Sequence, residues 1–169
     1  CDTLLMATEL NESFTIPCDL ATAIRMMSDS GSLDRLMEFS YAENPQHHVQ
    51  ENSDGTLEIH LYREFEGEWP SLIESIVGKR LKIDEIRVWQ PVSGNQRSGK
   101  TEITSAGLPI AVNADMKIVA SDNSCTVSII GQIKVNVFGI GGMIENLVKE
   151  QIHDAIKVER DFYLEELKK

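Results

Sequence analysis

Two charged residues stand where the surrounding pattern favours apolar side chains. Arg63 interrupts the apolar alternation between Leu61 and Phe65. Glu12 likewise has an apolar residue two positions before it and another two positions after it. A charge that faces an apolar interior costs several kcal/mol unless it is paired or hydrated. We therefore expect each charge to pair with the other, with a ligand or with cavity water, or to reach solvent near a strand end. An inward-facing Arg63 or Glu12 would be the best group to fix the polar end of a ligand.

The histidines and the glycine-rich run do not match a catalytic or metal-binding pattern. His47 and His48 are adjacent, so in a strand they point to opposite faces, and neither His60 nor His153 has a partner at ligand spacing. The run 139–142 (GIGG) lacks the spacing of a dinucleotide fingerprint and predicts instead a flexible joint between a strand and a helix. No G-x-S-x-G elbow is present. We assign no catalytic residue, no metal and no cofactor.

The cysteines indicate a reducing environment. Cys1, Cys18 and Cys125 match no zinc or redox spacing, and their odd number leaves at least one thiol free. We interpret them as reduced, mostly buried, small apolar residues, which is typical of proteins in a reducing compartment. The expected location is the cytoplasm.

The charge balance excludes several classes of partner. The net charge is −11, with 16 Lys and Arg against 27 Asp and Glu. A nucleic-acid partner requires a basic surface, and an acidic chain is also repelled by anionic membranes. No apolar stretch is long enough to span a membrane, so we expect no nucleic-acid partner and no stable membrane anchor. Because the chain starts at Cys1 rather than Met, we also expect that an upstream targeting segment has been removed, if one existed.

Hydrophobic periodicity predicts a strand, two short helices, an antiparallel meander and one long helix. A first strand at 6–16 stops at Pro17, and Asp19 and Ser32 are expected to cap the two short helices that follow. Alternation with period two then predicts six strands joined mostly by tight turns. These strands are 42–50, 56–65, 79–90, 97–106, 110–120 and 125–138, with a short helical or irregular connection at 69–78.

One of these strands changes its apolar parity in the middle. Leu81 and Ile83 share one face of strand 79–90, whereas Ile86 and Val88 share the other. An extra residue in a strand moves the following side chains to the opposite face. The sequence therefore predicts a β-bulge at 84–85.

The final segment predicts a long amphipathic helix. Apolar residues recur at helical spacing through 140–168, and a helix of that length would measure roughly 40 Å. It is the one predicted helix long enough to cover a whole sheet. We predict an α+β helix-grip fold in one domain, residues 1–169: a curved antiparallel sheet of six to seven strands wraps round the terminal helix, which leaves space between them.

The order of these elements resembles the START-like and polyketide-cyclase-like superfamily, and more narrowly an uncharacterised branch found chiefly in actinobacteria. The resemblance covers nearly the whole chain, but the sequence departs from the branch at Arg87, where relatives usually carry an acidic residue. It implies an apolar cavity used for lipids, sterols or polyketides, sometimes for catalysis, and the branch implies no established activity. The segments that carry it are ESFTIPCDLATAIRMMSD, the Val88-Trp89 pair, GLPI at 107–110, FGIGGMIE at 138–145 and VERDFYLEEL at 158–167.

The first functional hypothesis is binding or carriage of a lipid or other apolar small molecule between the sheet and the terminal helix. Arg63 is the expected polar anchor, and Trp69 is expected to border the cavity mouth. There are two alternatives. One is a cyclase or hydrolase that uses the same cavity, and the other is a protein-interaction module without a cavity. An inward carboxylate or histidine with a shifted pKa would favour the enzyme, and a filled interior would favour the module. The expected wall residues are Leu61, Val112, Met116, Ile144, Val148, Ile152 and Phe162.

Overall fold

The computed structural model describes residues 7–169, so Cys1 and the predicted strand start at Met6 lie outside the described part. The elements follow the predicted order of one strand, two short helices, a meander and a long helix. They are β1 (Thr8–Ile16), α1 (Leu20–Ser28), α2 (Ser30–Phe39), β2 (Glu43–Glu51), β3 (Leu57–Glu66), α3 (Ser71–Val77), β4 (Arg80–Trp89), β5 (Gln96–Ser105), β6 (Ile110–Ser121), β7 (Ser124–Val135) and α4 (Gly141–Glu166).

The seven strands form one antiparallel sheet in the order β1-β7-β6-β5-β4-β3-β2. Strands β2 to β7 pair with their neighbours in the chain, as the short connections predicted. The exception is β1, which pairs with β7 over its whole length, from Thr8 opposite Ile133 to Ile16 opposite Cys125. The long helix α4 packs on β1 and β7. The predicted α+β helix-grip fold, a curved sheet that holds a C-terminal helix, is therefore confirmed.

One aspartate, Asp29, follows the last residue of α1 and precedes the first residue of α2. Asp19 caps α1 as predicted, since its Oδ1 accepts a hydrogen bond from the Thr22 N–H at 2.7 Å. The cap of α2 is Asp29, whose Oδ2 accepts from the Ser32 N–H at 3.1 Å, so the prediction of Ser32 as the cap was wrong. Ser32 instead lies inside the helix, where its hydroxyl donates to the Met26 carbonyl.

The predicted bulge in β4 is also wrong. Its pairing with β3 is unbroken from Arg80 to Trp89, opposite Glu66 to Leu57. The inward face therefore continues through Leu81, Ile83, Glu85, Arg87 and Trp89, while Ile86 lies on the outer face. The parity change in the sequence reflects two charged residues on the inner face and not an extra residue in the backbone.

The joint between β7 and α4 brings two backbones close together, as the glycine-rich run predicted. Strand β7 ends at Val135, earlier than expected, and Gly139 takes a φ of +82°. A Cβ at Gly141 would lie 2.6 Å from the Val135 carbonyl oxygen, so the close approach needs a glycine. The Glu145 carboxylate fixes α4 to β7 and to β1. It accepts a hydrogen bond from the Val135 N–H of β7 at 3.0 Å and another from the Thr8 hydroxyl of β1 at 2.9 Å.

Candidate functional site

A cavity of about 330 Å³ lies between the sheet and α4. The inner face of the sheet and one side of α4 line it, together with Trp69 and Val77 from the connection between β3 and β4. Most of the lining is hydrocarbon, since alternate strand residues and one stripe of α4 point the same way. Apolar lining residues that were not predicted include Ile83, Ile103, Ile129 and Leu147.

Six of the eight residues expected at a ligand site line this cavity, and two lie elsewhere. Leu61 and Phe162 belong to the core beneath α1 and α2, where those short helices fill the space over the sheet. The ring of Phe162 packs against Tyr163 and Phe39, with centroids 5.6 and 5.7 Å apart. The six lining residues are Arg63, Val112, Met116, Ile144, Val148 and Ile152.

Glu12 is paired, but neither with Arg63 nor at the cavity. Its Oε1 lies 2.9 Å from Nδ1 of His153, a residue of α4. Arg63, by contrast, faces the cavity and is 15% exposed at its side chain. Of the two charges that the sequence singled out, Arg63 is therefore the one that lines the cavity.

Glu85 is the centre of a buried ion cluster, which we define as Arg63, Glu85, Arg87 and Glu159. Its Oε1 accepts from Arg63 Nη2 at 2.8 Å, and its Oε2 accepts from Arg87 Nε at 2.6 Å. The Thr101 hydroxyl lies 3.4 Å from the same Oε2. Arg63 and Glu85 come from neighbouring strands, β3 and β4, and reach each other because both point to the inner face.

The second half of the ion cluster connects the sheet to α4. Arg87 Nη1 donates to Glu159 Oε1 at 3.0 Å, and the Tyr163 hydroxyl donates to the same oxygen at 2.6 Å. Glu159 lies on the inner side of α4, seven residues after Ile152 and thus on the same helical stripe. The cluster therefore joins β3, β4 and α4 at the wall of the cavity.

Two members of the ion cluster, Glu85 and Arg87, stay charged across the physiological pH range. Burial opposes ionisation of Glu85, but Arg87 and Arg63 outweigh it and hold the pKa of this carboxyl below its ordinary value, at about 2. Burial likewise disfavours the Arg87 cation, yet Glu159 and Glu85 raise the pKa of its guanidinium well above the usual value. Burial and the neighbouring Glu159 also raise the pKa of the Tyr163 hydroxyl well above its usual value, so it remains a donor.

Most of the spare hydrogen-bonding capacity of the ion cluster lies in the donors of Arg63. All four carboxylate oxygens of Glu85 and Glu159 accept at least one hydrogen bond. A guanidinium has five N–H groups, and Arg63 uses one of them on an acceptor within residues 7–169. Two cations and two anions leave the cluster formally neutral. Its free side therefore fits a hydrogen-bond acceptor better than a donor or a charge.

Sequence reasoning missed Glu85, Arg87 and Glu159. A signal was present, because uninterrupted alternation places Glu85 and Arg87 on the face of Ile83 and Trp89, and opposite charges two residues apart on one face form a pair. The parity change was instead interpreted as a bulge. Among residues 7–169, the histidines, cysteines and carboxylates form no group that could hold a metal ion.

The comparisons with known proteins agree with the architecture. The model of a family described as "Protein of unknown function (DUF2505)" matches residues 11–167. No curated protein is matched by the sequence.

Three solved structures illustrate the shared fold. Human STARD10 superposes with a TM-score of 0.62 at 11% identity, over 96% of this chain and 66% of that one. Norcoclaurine synthase from Thalictrum flavum gives 0.60 at 13% identity, over 96% and 87%. A START superfamily protein from Mycobacterium smegmatis gives 0.56 at 14% identity, over 94% and 98%. These identities establish the fold alone, and with it the predicted START-like resemblance is confirmed.

Proposed function

The chain belongs to the DUF2505 family and has the START-like fold, and from this premise we propose that it binds and carries a largely apolar small molecule. The observation that supports this proposal is the cavity of about 330 Å³ with a mostly hydrocarbon wall. Burial of apolar surface stabilises a complex by about 25 cal/mol per Å², so desolvation supplies most of the affinity. Cavities of this size are typical of small-molecule sites.

Arg63 is the anchor for the polar end of the ligand. It lines the cavity and has N–H groups that Glu85 does not occupy. Because the ion cluster is formally neutral, a bound carboxylate would leave one buried charge without a counter-ion, which is costly. An uncharged acceptor, such as a ketone, ester or amide oxygen, avoids this cost. The preferred ligand is therefore an uncharged apolar molecule with an acceptor oxygen at Arg63.

The ion cluster is better suited to binding than to acid–base chemistry. An enzyme that uses this cavity needs an inward titratable group with a pKa near the working pH. Glu85 faces inward, but its pKa of about 2 and its engaged oxygens make it a poor base. For this reason binding ranks above a cyclase or hydrolase activity.

We place this binding function in the cytoplasm. Cys18 and Cys125 are free thiols. Burial, together with Cys125 and Asp19, raises the pKa of the Cys18 thiol to about 11, so it remains protonated and unreactive. Among residues 7–169, no helix has the length and apolar character needed to cross a membrane.

Solvent extraction followed by mass spectrometry of protein purified from its own host tests the proposed function. We expect an apolar molecule at close to one equivalent per chain. In the variant Val148→Trp, an indole added to the cavity wall should displace it. The matched control is Lys149→Trp, which adds the same group to the exposed side of α4.

Circular dichroism of both variants verifies that they fold. Recovery of a ligand from wild type and from Lys149→Trp, but not from Val148→Trp, supports the proposal. Equal recovery from both folded variants would place the molecule outside the cavity. If wild type yields no apolar molecule, and no member of a panel of uncharged lipids and steroids raises its melting temperature, the proposed function is wrong.

A further inference from the structure

One side of α4 lines the cavity and also reaches the surface. Residues four apart in a helix lie on the same face, and one such row, which we call the open stripe, consists of Leu147, Gln151, Ala155 and Glu159. All four residues line the cavity. Gln151 and Ala155 are nevertheless exposed. The cavity is therefore not fully covered along this side of the helix.

Ala155 shows most directly that the cavity opens here. Its side chain is a single methyl group, so the surface that it exposes lies next to the surface that lines the cavity. The next residue, Ile156, also lines the cavity but is buried. The boundary between the covered part and the open part of the cavity thus runs past Ala155.

Across the cavity from the open stripe, part of the sheet lacks an apolar cover. Phe65, Leu81 and Ile83 lie on the inner face of β3 and β4, line the cavity and are half-buried. Phe65 stands opposite Leu81 in the strand pairing, and Ile83 stands opposite Arg63. The apolar core of residues 7–169 forms three clusters, and these three apolar side chains belong to none of them. We call them the uncovered patch.

The attachments of α4 leave a gap between the open stripe and the uncovered patch. The opposite side of the helix packs on β1 and β7, where His153 pairs with Glu12. On the side of the gap, α4 is held at Ile144, which packs beside α3, and at Glu159, which bonds to Arg87 of β4. From Ile144 to Glu159 the helix rises by roughly 22 Å. We call the gap along this length the side window.

We propose that the ligand enters and leaves the cavity through the side window, and that the small side chain of Ala155 keeps this window wide enough for the exchange. This inference rests on the proposed function and adds the route of the ligand and the residue that controls its rate. The uncovered patch gives an entering molecule an apolar surface, so its desolvation begins before it is enclosed.

The exchange kinetics of a fluorescent probe test the side window. Prodan is an uncharged naphthalene ketone whose emission moves to shorter wavelength in apolar surroundings, so stopped-flow fluorescence follows its entry and its release. In Ala155→Phe the association and dissociation rate constants should each fall by about tenfold, which corresponds to a barrier raised by about 1.4 kcal/mol. Ala155→Leu should slow both rates less. The matched control is Lys157→Phe, which adds the same ring at an exposed position of α4 that does not line the cavity.

The pattern of the two rate constants distinguishes a window from an ordinary wall position. A side chain that narrows the route raises the barrier in both directions, so both rate constants fall together and the Kd changes less than either of them. A side chain that only takes up the space of the ligand weakens the bound state instead, so dissociation becomes faster. Lys157→Phe should leave both rate constants within about twofold of wild type, as expected for a surface substitution.

The outcomes separate the inference from the proposed function. Slower association together with slower dissociation in both folded Ala155 variants supports the inference. Dissociation that is unchanged or faster in these variants overturns it, while binding of prodan would still support the proposed function. Loss of prodan binding in both Ala155 variants, but not in Lys157→Phe, would mean that the added side chain fills the cavity, which also overturns the inference. Failure of prodan to bind wild type counts against the inference, and the extraction experiment then decides the proposed function separately.

Discussion

Arg87 shows how one residue can support both the fold and the site. Its guanidinium bonds to Glu85 on its own strand and to Glu159 on α4, so it bridges the sheet and the helix. Both carboxylates also have a second donor, Arg63 for Glu85 and Tyr163 for Glu159. Such a saturated arrangement avoids the penalty of an unpaired buried charge, but it depends on every member.

Replacement of Arg87 by Met should therefore be strongly destabilising. We expect a loss of about 3–5 kcal/mol in the free energy of unfolding, because two buried carboxylates lose their shared cation. The control is Lys100→Met, which removes a cation 3.8 Å from Asp115 in a fully exposed pair and should cost less than about 1 kcal/mol. Urea denaturation measures both. Similar values for the two variants would mean that the ion cluster is hydrated rather than buried.

The ionisation of Glu85 predicts an acid-dependent loss of stability. Its pKa is lowered from an ordinary 4.5 to about 2 in the folded protein. A lowered pKa means that the group stabilises the fold fully above pH 4.5, and that this contribution disappears as the pH falls from there towards 2. The difference in unfolding free energy between wild type and Glu85→Gln should narrow over the same range. A difference that stays constant with pH would contradict this ionisation.

The element that governs the geometry of the cavity is α4 with its joint to β7. The helix has 26 residues, which at about 1.5 Å each is roughly 39 Å, enough to run along the whole sheet. Its N-terminal end is held by Glu145 and by the close approach of Gly141 to Val135. Its C-terminal half is held by the ion cluster through Glu159. The span between these two attachments is the part that lines the cavity.

Substitution of Gly141 by Ala should destabilise this joint. The added Cβ would lie 2.6 Å from the Val135 carbonyl oxygen, a backbone atom that moves only if the helix start moves. We expect a loss of about 1–3 kcal/mol, as for other overpacked positions. Gly142→Ala is the control, since nothing lies within 4 Å of its added Cβ. It should be neutral or stabilise by up to about 1 kcal/mol. Thermal unfolding of the pair measures the contrast.

Hydrophobic periodicity predicted the helices and strands, but it did not predict which side chains form the ion cluster. Strand β4 shows the reason: its backbone follows strict alternation, yet Glu85 and Arg87 are charged, and their burial is stable because α4 brings Glu159 to them. That contact joins positions 72 residues apart and has no local signature in the sequence. The sequence did identify Arg63, because the apolar residues two positions before and after it showed that its side chain shares their face of the strand. Leu61 followed the same parity, but α1 and α2 cover it.

At the scale of the whole molecule, the cavity results from unequal coverage of one face of the sheet by the helices. The short helices α1 and α2 pack over one part of the sheet and fill it with apolar side chains such as Leu33 and Met37. The helix α4 crosses the rest, where the wall is less filled and about 330 Å³ remains. The ion cluster lies at the boundary with the filled part, where Arg87 bonds to Glu159 of α4.

The pairing of β1 with β7 has a consequence for how the chain acquires its shape. During synthesis β1 is made before the other strands of the sheet, yet its partner, from Cys125 to Ile133, follows only after the five strands β2 to β6. Until then Phe14 and Ile16 have no strand beside them. Contacts between such distant segments slow folding. Closure of this pair is thus a late event in the folding of the sheet, and the wall of the cavity is complete only after β7 has joined β1.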